Sequence, residues 1–175
     1  MGERIQIGWK QPKNLQRLVC GIKSDSKSPG VDNPGCWKCQ KCTVGCPVLL
    51  EGKNFTSTNT KKSYTIRKSL NCQSKFVIYL ATCQKCSGQY VGKATTQFKV
   101  RHSNHRQEIK NRIGGLGNHY GGDGCGYENL RIQIIDQVEI GDKIALAEAE
   151  IYWQNQLRVY IQNGAKAHCR RKERS

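Results

Sequence analysis

Five residues of this chain have types and an order that suit catalysis: Tyr79, Tyr90, Arg101, His105 and Glu150. A phenol can help to activate a water when a neighbouring base accepts its proton, and histidine is the side chain that most often does so. A guanidinium offers a rigid fork of donors to a phosphate oxygen, and one carboxylate can hold Mg²⁺ or Mn²⁺ beside waters and phosphate oxygens. The set therefore predicts metal-dependent hydrolysis of a phosphodiester.

The apolar runs around the two tyrosines predict the strands that would position them. Residues 76–81 are typical of a buried strand, and residues 89–92 are predicted to return beside it as a hairpin. A basic helix is predicted to follow and to continue to about residue 113. It would carry Arg101 and His105.

Three further segments complete the predicted domain. Residues 114–126 hold many glycines and are predicted to be a loop, and residues 130–135 alternate as an amphipathic strand does. A helix that begins at about residue 142 would carry Glu150. On the preceding helix, His102 is expected to be exposed. These elements predict an α+β fold with a small three-stranded antiparallel sheet flanked by helices.

The charge of the chain predicts a polyanionic partner. Lysine and arginine number 29 against 13 acidic residues, which gives a net charge of +16, and nucleic acid is the usual partner of so basic a protein. No apolar run approaches the roughly 18 residues that a membrane span needs. Residues 1–10 lack the apolar core of a secretory signal, so neither export nor a membrane partner is expected.

The tyrosine segments resemble the two motifs of GIY-YIG endonucleases. Val77-Ile78-Tyr79 stands in place of Gly-Ile-Tyr, and Tyr90-Val91-Gly92 stands in place of Tyr-Ile-Gly. The resemblance implies the GIY-YIG fold. Lys93, directly after the second motif, is expected to add a point charge for the substrate. One departure is a family asparagine near the end of the domain, where spacing places Lys166, with Asn163 nearby.

Most of the chain resembles the C-terminal region of Penelope-like retroelements. A Pro-x-Asn-Leu segment at residues 12–15, a cysteine cluster, Phe-Thr-Ser at 55–57 and Asn-Cys-x-Ser-Lys at 71–75 precede the tyrosine motifs in that order. The resemblance implies a nuclear endonuclease that nicks target DNA to supply a primer, with an RNA or a reverse transcriptase domain of the same element as further partners. Two alternatives stay open: a catalytically weak, zinc-dependent nucleic-acid-binding module, and a cellular structure-specific repair nuclease.

The chain has ten cysteines, and without export they are expected to bind metal rather than form disulfides. Four of five could hold one structural Zn²⁺, and the sequence does not choose which four: Cys36, Cys39, Cys42, Cys46 and Cys72. A second zinc site is suggested by Cys83-x₂-Cys86 between the tyrosine motifs, where retroelement relatives add two histidines. His119 matches the first of these and Cys125 the second, and three cysteines with one histidine suit tetrahedral zinc.

These observations predict four parts along the chain. Residues 1–35 are expected to be a partly helical linker, and residues 36–72 a small zinc-binding module. Residues 73–165 would form the nuclease domain, and residues 166–175 a basic, disordered tail.

Overall fold

A computed structural model of the chain describes residues 33–39, 42, 46–121 and 125–159. The strands in these residues are β1 (Gly35–Cys36), β2 (Asn54–Thr56), β3 (Ser63–Thr65), β4 (Ser69–Leu70), β5 (Val77–Cys83), β6 (Gln89–Ala94) and β7 (Leu130–Gln137). The helices are α1 (Phe98–Asn111), α2 (Gly114–Tyr120) and α3 (Lys143–Leu157). The predictions for the first 32 residues and for the basic tail, and the positions of Asn163 and Lys166, lie outside the described residues.

The central strand of the main sheet is β5. The strand order is β6-β5-β7, and both pairings are antiparallel. Tyr79 on β5 pairs with Gly92 on β6. Two residues along, Ala81 pairs with Tyr90, so the two tyrosines lie diagonally on one face of the sheet. A β-bulge in the pairing with β7 falls at Tyr79, and bulges often re-aim a side chain beside a functional site. The predicted α+β fold with a three-stranded antiparallel sheet is confirmed.

Helix α1 turns one face toward the tyrosines. Its buried side chains recur every three or four residues, as on one side of a helix: Phe98, His102, His105 and Ile109. The ring centroids of Phe98 and Tyr79 are 5.4 Å apart, so this face covers the tyrosine side of the sheet. The prediction that His102 is exposed is wrong. His102 is fully buried, and its Nε2 lies 2.9 Å from Tyr127 Oη, which satisfies a polar atom inside the core.

Helix α2 lies within the segment that was predicted to be a loop, so that prediction is wrong for residues 114–120. Glycine disfavours helices in isolation, but tertiary packing overrides this preference here. A Cβ on Gly117 would lie 2.5 Å from the carbonyl oxygen of Glu108, so only glycine lets α2 approach α1 this closely. Leu116 and Tyr120 are buried and anchor the helix.

The segment before β5 shares its core with the sheet. The amide of Leu50 donates to the carbonyl of Ile132 on β7 at 2.8 Å, which adds a short parallel pairing to the sheet edge. Strands β2 and β3 pair as an antiparallel hairpin, and Phe55 packs edge-on against Trp153 of α3. The hydroxyl of Ser57 donates to the carbonyl of Leu157 at 2.9 Å, at the end of α3. In the part of the chain described, no helix is long and apolar enough to cross a membrane.

Candidate active site and metal-binding clusters

A hydrogen-bonded chain leads inward from the tyrosines. Tyr79 is fully buried, and its Oη lies 2.6 Å from His105 Nε2. The other ring nitrogen of His105, Nδ1, lies 2.8 Å from Glu108 Oε2. Because a carboxylate only accepts, Nδ1 carries the proton and Nε2 of the neutral ring is free to accept from Tyr79. Tyr90 is only partly buried and hydrogen-bonds to Tyr79, so it connects the chain to the surface.

The electrostatics of this chain keep both phenols protonated at neutral pH. Burial raises the pKa of Tyr79, and the neighbouring Tyr90 adds to the effect. Burial and the charge of Glu150 likewise raise the pKa of Tyr90. Burial and the positive charge of Arg101 lower the pKa of His105 below its usual value. The imidazole is therefore a neutral acceptor for a phenol proton.

Arg101 lies between the tyrosines and Glu108. Its Nη1 donates to Glu108 Oε1 at 2.9 Å, and its guanidinium hydrogen-bonds to the Tyr79 hydroxyl. Burial alone would raise the pKa of Glu108, but the contacts with His105 and Arg101 outweigh it and lower that pKa. The side chain of Arg101 stays 29% exposed, so it can still meet a ligand from solvent.

Glu150 approaches the same place from α3. Its charge raises the pKa of Tyr90, and its Oε2 forms an ion pair with Lys93 Nζ of β6 at 2.9 Å. The structure thus brings together the five residues predicted to be catalytic around the partly exposed Tyr90. Lys93, the predicted substrate contact, pairs with Glu150 here, and its contact with substrate stays a prediction.

Glu108 contacts both His105 and Arg101 but was not among the residues predicted for this site. The signal that could have found it is its spacing: Glu108 follows His105 by three residues and Arg101 by seven, so all three share one face of α1. An acidic residue three positions after a helical histidine can orient the imidazole. This spacing indicates such a role only when the histidine is buried, because a solvated imidazole bonds to water instead.

The Tyr79 ring packs directly against the backbone of Gly92, where there is no room for a side chain. A Cβ at this position would lie 2.6 Å from Tyr79 Cζ and 2.8 Å from Tyr90 Cε1. We expect Gly92→Ala to push the tyrosines apart and to lower the free energy of unfolding by about 1–3 kcal/mol, as overpacking does. Urea denaturation measures this change.

The matched control for that substitution is Gly115→Ala on α2. There a Cβ meets only Tyr90 Cε2, at an ordinary 3.8 Å, and alanine favours a helix over glycine by up to about 1 kcal/mol. Gly115→Ala should leave stability unchanged or raise it. Equal unfolding midpoints for Gly92→Ala and the unmutated protein would contradict the packing described.

Four cysteines, called here the N-terminal cluster, meet before β5: Cys39, Cys42, Cys46 and Cys72. Their sulfur atoms all lie within 4.8 Å of one another, as four ligands of one metal do. Cys36, the fifth candidate, lies outside the cluster, and its sulfur accepts a hydrogen bond from the amide of Ile134 at 3.4 Å. Four of the five candidate zinc ligands therefore lie together, and this cluster could hold a metal such as zinc.

A second set of ligands, called here the hairpin cluster, joins the β5–β6 turn to α2: Cys83, Cys86, His119 and Cys125. Their ligand atoms also lie within 4.8 Å of one another, with Cys86 Sγ 3.5 Å from His119 Nε2. Burial would raise the pKa of Cys83, but hydrogen bonds from His119 and the turn amides lower it to about 6. A thiolate is the form that binds metal, so this cluster could also hold zinc.

The site as a whole combines a proton-accepting chain, a guanidinium and a carboxylate at one partly exposed point. Comparisons of the chain with protein-family models, with curated proteins and with solved structures gave no match.

Proposed function

We propose that this chain is a Mg²⁺- or Mn²⁺-dependent DNA endonuclease of the GIY-YIG type, which nicks target DNA for a Penelope-like retroelement. The observation that carries the proposal is the short hydrogen bond from Tyr79 to a buried, neutral His105, with Arg101 and Glu150 beside the partner Tyr90. A structural role for the tyrosines alone would not call for a proton acceptor and two opposite charges at the same point.

In the proposed reaction, the protons move inward along the chain of side chains. A water beside Tyr90 gives a proton to that phenol, Tyr90 passes its own proton to Tyr79, and Tyr79 passes its proton to His105 Nε2. The hydroxide forms a bond to phosphorus while the bond between phosphorus and the 3′-oxygen breaks, and that oxygen takes a proton from solvent. Arg101 donates to a non-bridging oxygen, where negative charge grows in the transition state.

Glu150 is the proposed ligand of the catalytic cation. Its carboxylate is a hard oxygen donor with only 16% of the side chain exposed, which suits Mg²⁺ held by one carboxylate, waters and phosphate oxygens. The bound ion would stabilise charge on the phosphate and on the leaving oxygen. Lys93 neutralises Glu150 in the present structure, and we propose that Lys93 turns to a DNA phosphate when the cation binds.

The proposed substrate, DNA, fits the charge of the chain. The net charge is +16, and α1 presents Arg106 and Lys110 to solvent. Such residues attract the phosphate backbone without reading sequence. The proposed nuclear location and the proposed RNA or reverse transcriptase partners follow from the retroelement resemblance alone.

A second candidate function is a zinc-dependent nucleic-acid-binding module with weak catalysis. The ion pair between Lys93 and Glu150 favours it, because the proposed metal ligand already has a cation partner. The two candidates predict the same DNA binding and the same zinc content. They differ in whether binding is followed by cleavage.

Tyr79→Phe tests the proposal by removing one buried oxygen atom and keeping the ring. We expect nicking of supercoiled plasmid to fall by at least about 100-fold, the scale of general acid–base contributions, with DNA binding retained. Tyr64→Phe on β3 is the matched control, because its hydroxyl donates to the carbonyl of Gln156 at 3.1 Å, away from the site, and it should nick normally. Equal nicking by Tyr79→Phe and the unmutated protein would exclude the proton path described.

A further inference from the structure

Each oxygen of the Glu108 carboxylate has its own partner in the site. Oε2 accepts from His105 Nδ1 at 2.8 Å, and Oε1 accepts from Arg101 Nη1 at 2.9 Å. The proposed reaction uses both partners but assigns nothing to Glu108 itself. A surface ion pair would contribute little to stability. The His105 side chain, however, is only 1% exposed, so this carboxylate serves a buried imidazole rather than a solvated one.

We propose that Glu108 is a positioning residue of the nuclease: it fixes the Nδ1–H tautomer of His105 and holds Arg101 beside the tyrosines. This inference rests on the proposed function. A histidine can accept a proton at Nε2 only if its Nδ1 carries the other proton, and a carboxylate at Nδ1 enforces that arrangement. When His105 becomes an imidazolium during the reaction, the same carboxylate stabilises its positive charge.

The backbone around Glu108 fixes its position. The Glu108 carbonyl accepts from the Ile113 amide at 2.9 Å, where α1 ends, and Gly117 of α2 packs directly against it. The side chain is therefore presented from a helix end that α2 holds in place. A residue that orients a catalytic histidine must itself be held in one position. The fixed backbone of Glu108 meets this requirement.

Glutamine is the informative replacement. Its amide has one oxygen and one NH₂ group, so it can accept from His105 or from Arg101 but must face the other with a donor. Glu108→Ala removes both acceptors. We expect plasmid nicking on the plateau of the pH–rate profile to fall about 10- to 100-fold in both variants, with Glu108→Ala the lower. DNA binding should be unchanged or slightly tighter, since a negative charge is lost. Gln107→Ala, at the exposed neighbouring position, is the control.

The pH dependence separates positioning from simple loss of structure. The titratable and charged groups that face His105 are Tyr79 on β5 and Arg101 and Glu108 on its own helix, with Tyr90 next along the chain. Burial and Arg101 lower the pKa of His105, and Glu108 opposes them. Removing Glu108 should therefore lower that pKa further, and the acid limb of the nicking profile should move to lower pH. Local unfolding would instead move the pKa up toward the ordinary value of about 6.5.

The decisive experiment is a ¹⁵N NMR titration of the histidine side chains in the unmutated protein, Glu108→Gln and Glu108→Ala. We expect the Nδ1–H form of His105 in the unmutated protein, and in the variants a lower pKa with Nε2–H appearing. An unchanged tautomer and pKa in Glu108→Ala would overturn the inference, as would a normal plateau rate in that variant. If the unmutated protein does not nick DNA, the proposed function fails, but the NMR titration still decides whether Glu108 positions His105.

Discussion

Cys83→Ser should remove one zinc ion per chain and unfold the region around α2. Structural zinc sites in small domains bind with about 10–16 kcal/mol of apparent free energy, which is as large as the whole stability of a typical domain. The hairpin cluster joins the β5–β6 turn to His119 on α2 and to Cys125. Without the metal, the described part of this region is held by a short glycine-rich helix, through Leu116, Tyr120 and the packing of Gly117 on α1. We expect a melting temperature lower by many degrees, measured by circular dichroism.

Cys36→Ala is the control for that prediction. Cys36 is as buried as Cys83, but its sulfur lies outside both clusters. Cys36→Ala should lower the melting temperature slightly through lost core packing and keep the full zinc content. Elemental analysis of purified protein should give about two zinc ions per chain, at four ligands per site. Zinc content unchanged by Cys83→Ser, or absent from a protein that melts normally, would contradict the metal assignment.

Glu150→Gln should abolish Mg²⁺-dependent nicking, with a loss of several orders of magnitude and little loss of DNA binding. The amide keeps the shape of the side chain but removes the charge that a Mg²⁺ ligand needs. It also leaves Lys93 without its ion-pair partner, so the change adds net positive charge at the proposed DNA-binding surface. A plasmid nicking assay at several Mg²⁺ concentrations would separate weaker metal binding from a lost reaction.

Glu148→Gln makes the same charge change on the same helix and is the matched control. Glu148 lies two residues from Glu150 and so projects from a different side of α3. It should leave the Mg²⁺ dependence of nicking unchanged. Equal losses in the two variants would mean that the charge of the helix, rather than a specific ligand, affects the reaction.

Sequence reasoning succeeded where the signal was local. The apolar run at residues 76–81 predicted a buried strand and residues 89–92 its returning partner, and the pairing of β5 with β6 confirms both. That Tyr79 and Tyr90 share one face depends on the register of this pairing, which was not predicted. The helix that carries Arg101 and the helix that begins after Asp142 also followed from their patterns, and the side chain of Asp142 caps the latter at 2.8 Å.

The features that were not predicted depend on contacts between distant parts of the chain. The burial of His102 requires Tyr127, which lies 25 residues away, and α2 requires the backbone of α1 against Gly117. The choice of Cys72 over Cys36 for the N-terminal cluster depends on the path of the chain through the short strands, which spacing does not encode. Glu108 was missed because an acidic residue on a basic helix usually faces solvent.

The measurement that tests the central claim most directly is nicking of supercoiled plasmid by purified, zinc-containing protein with Mg²⁺ added or left out. Omission is better than a chelator, because a chelator would also strip the structural zinc. We predict relaxed circular product with Mg²⁺, none without it, and at least about 100-fold slower nicking by Tyr79→Phe with Mg²⁺. A folded, zinc-containing protein that binds the plasmid but leaves it intact with both Mg²⁺ and Mn²⁺ would contradict the claim and favour the binding module.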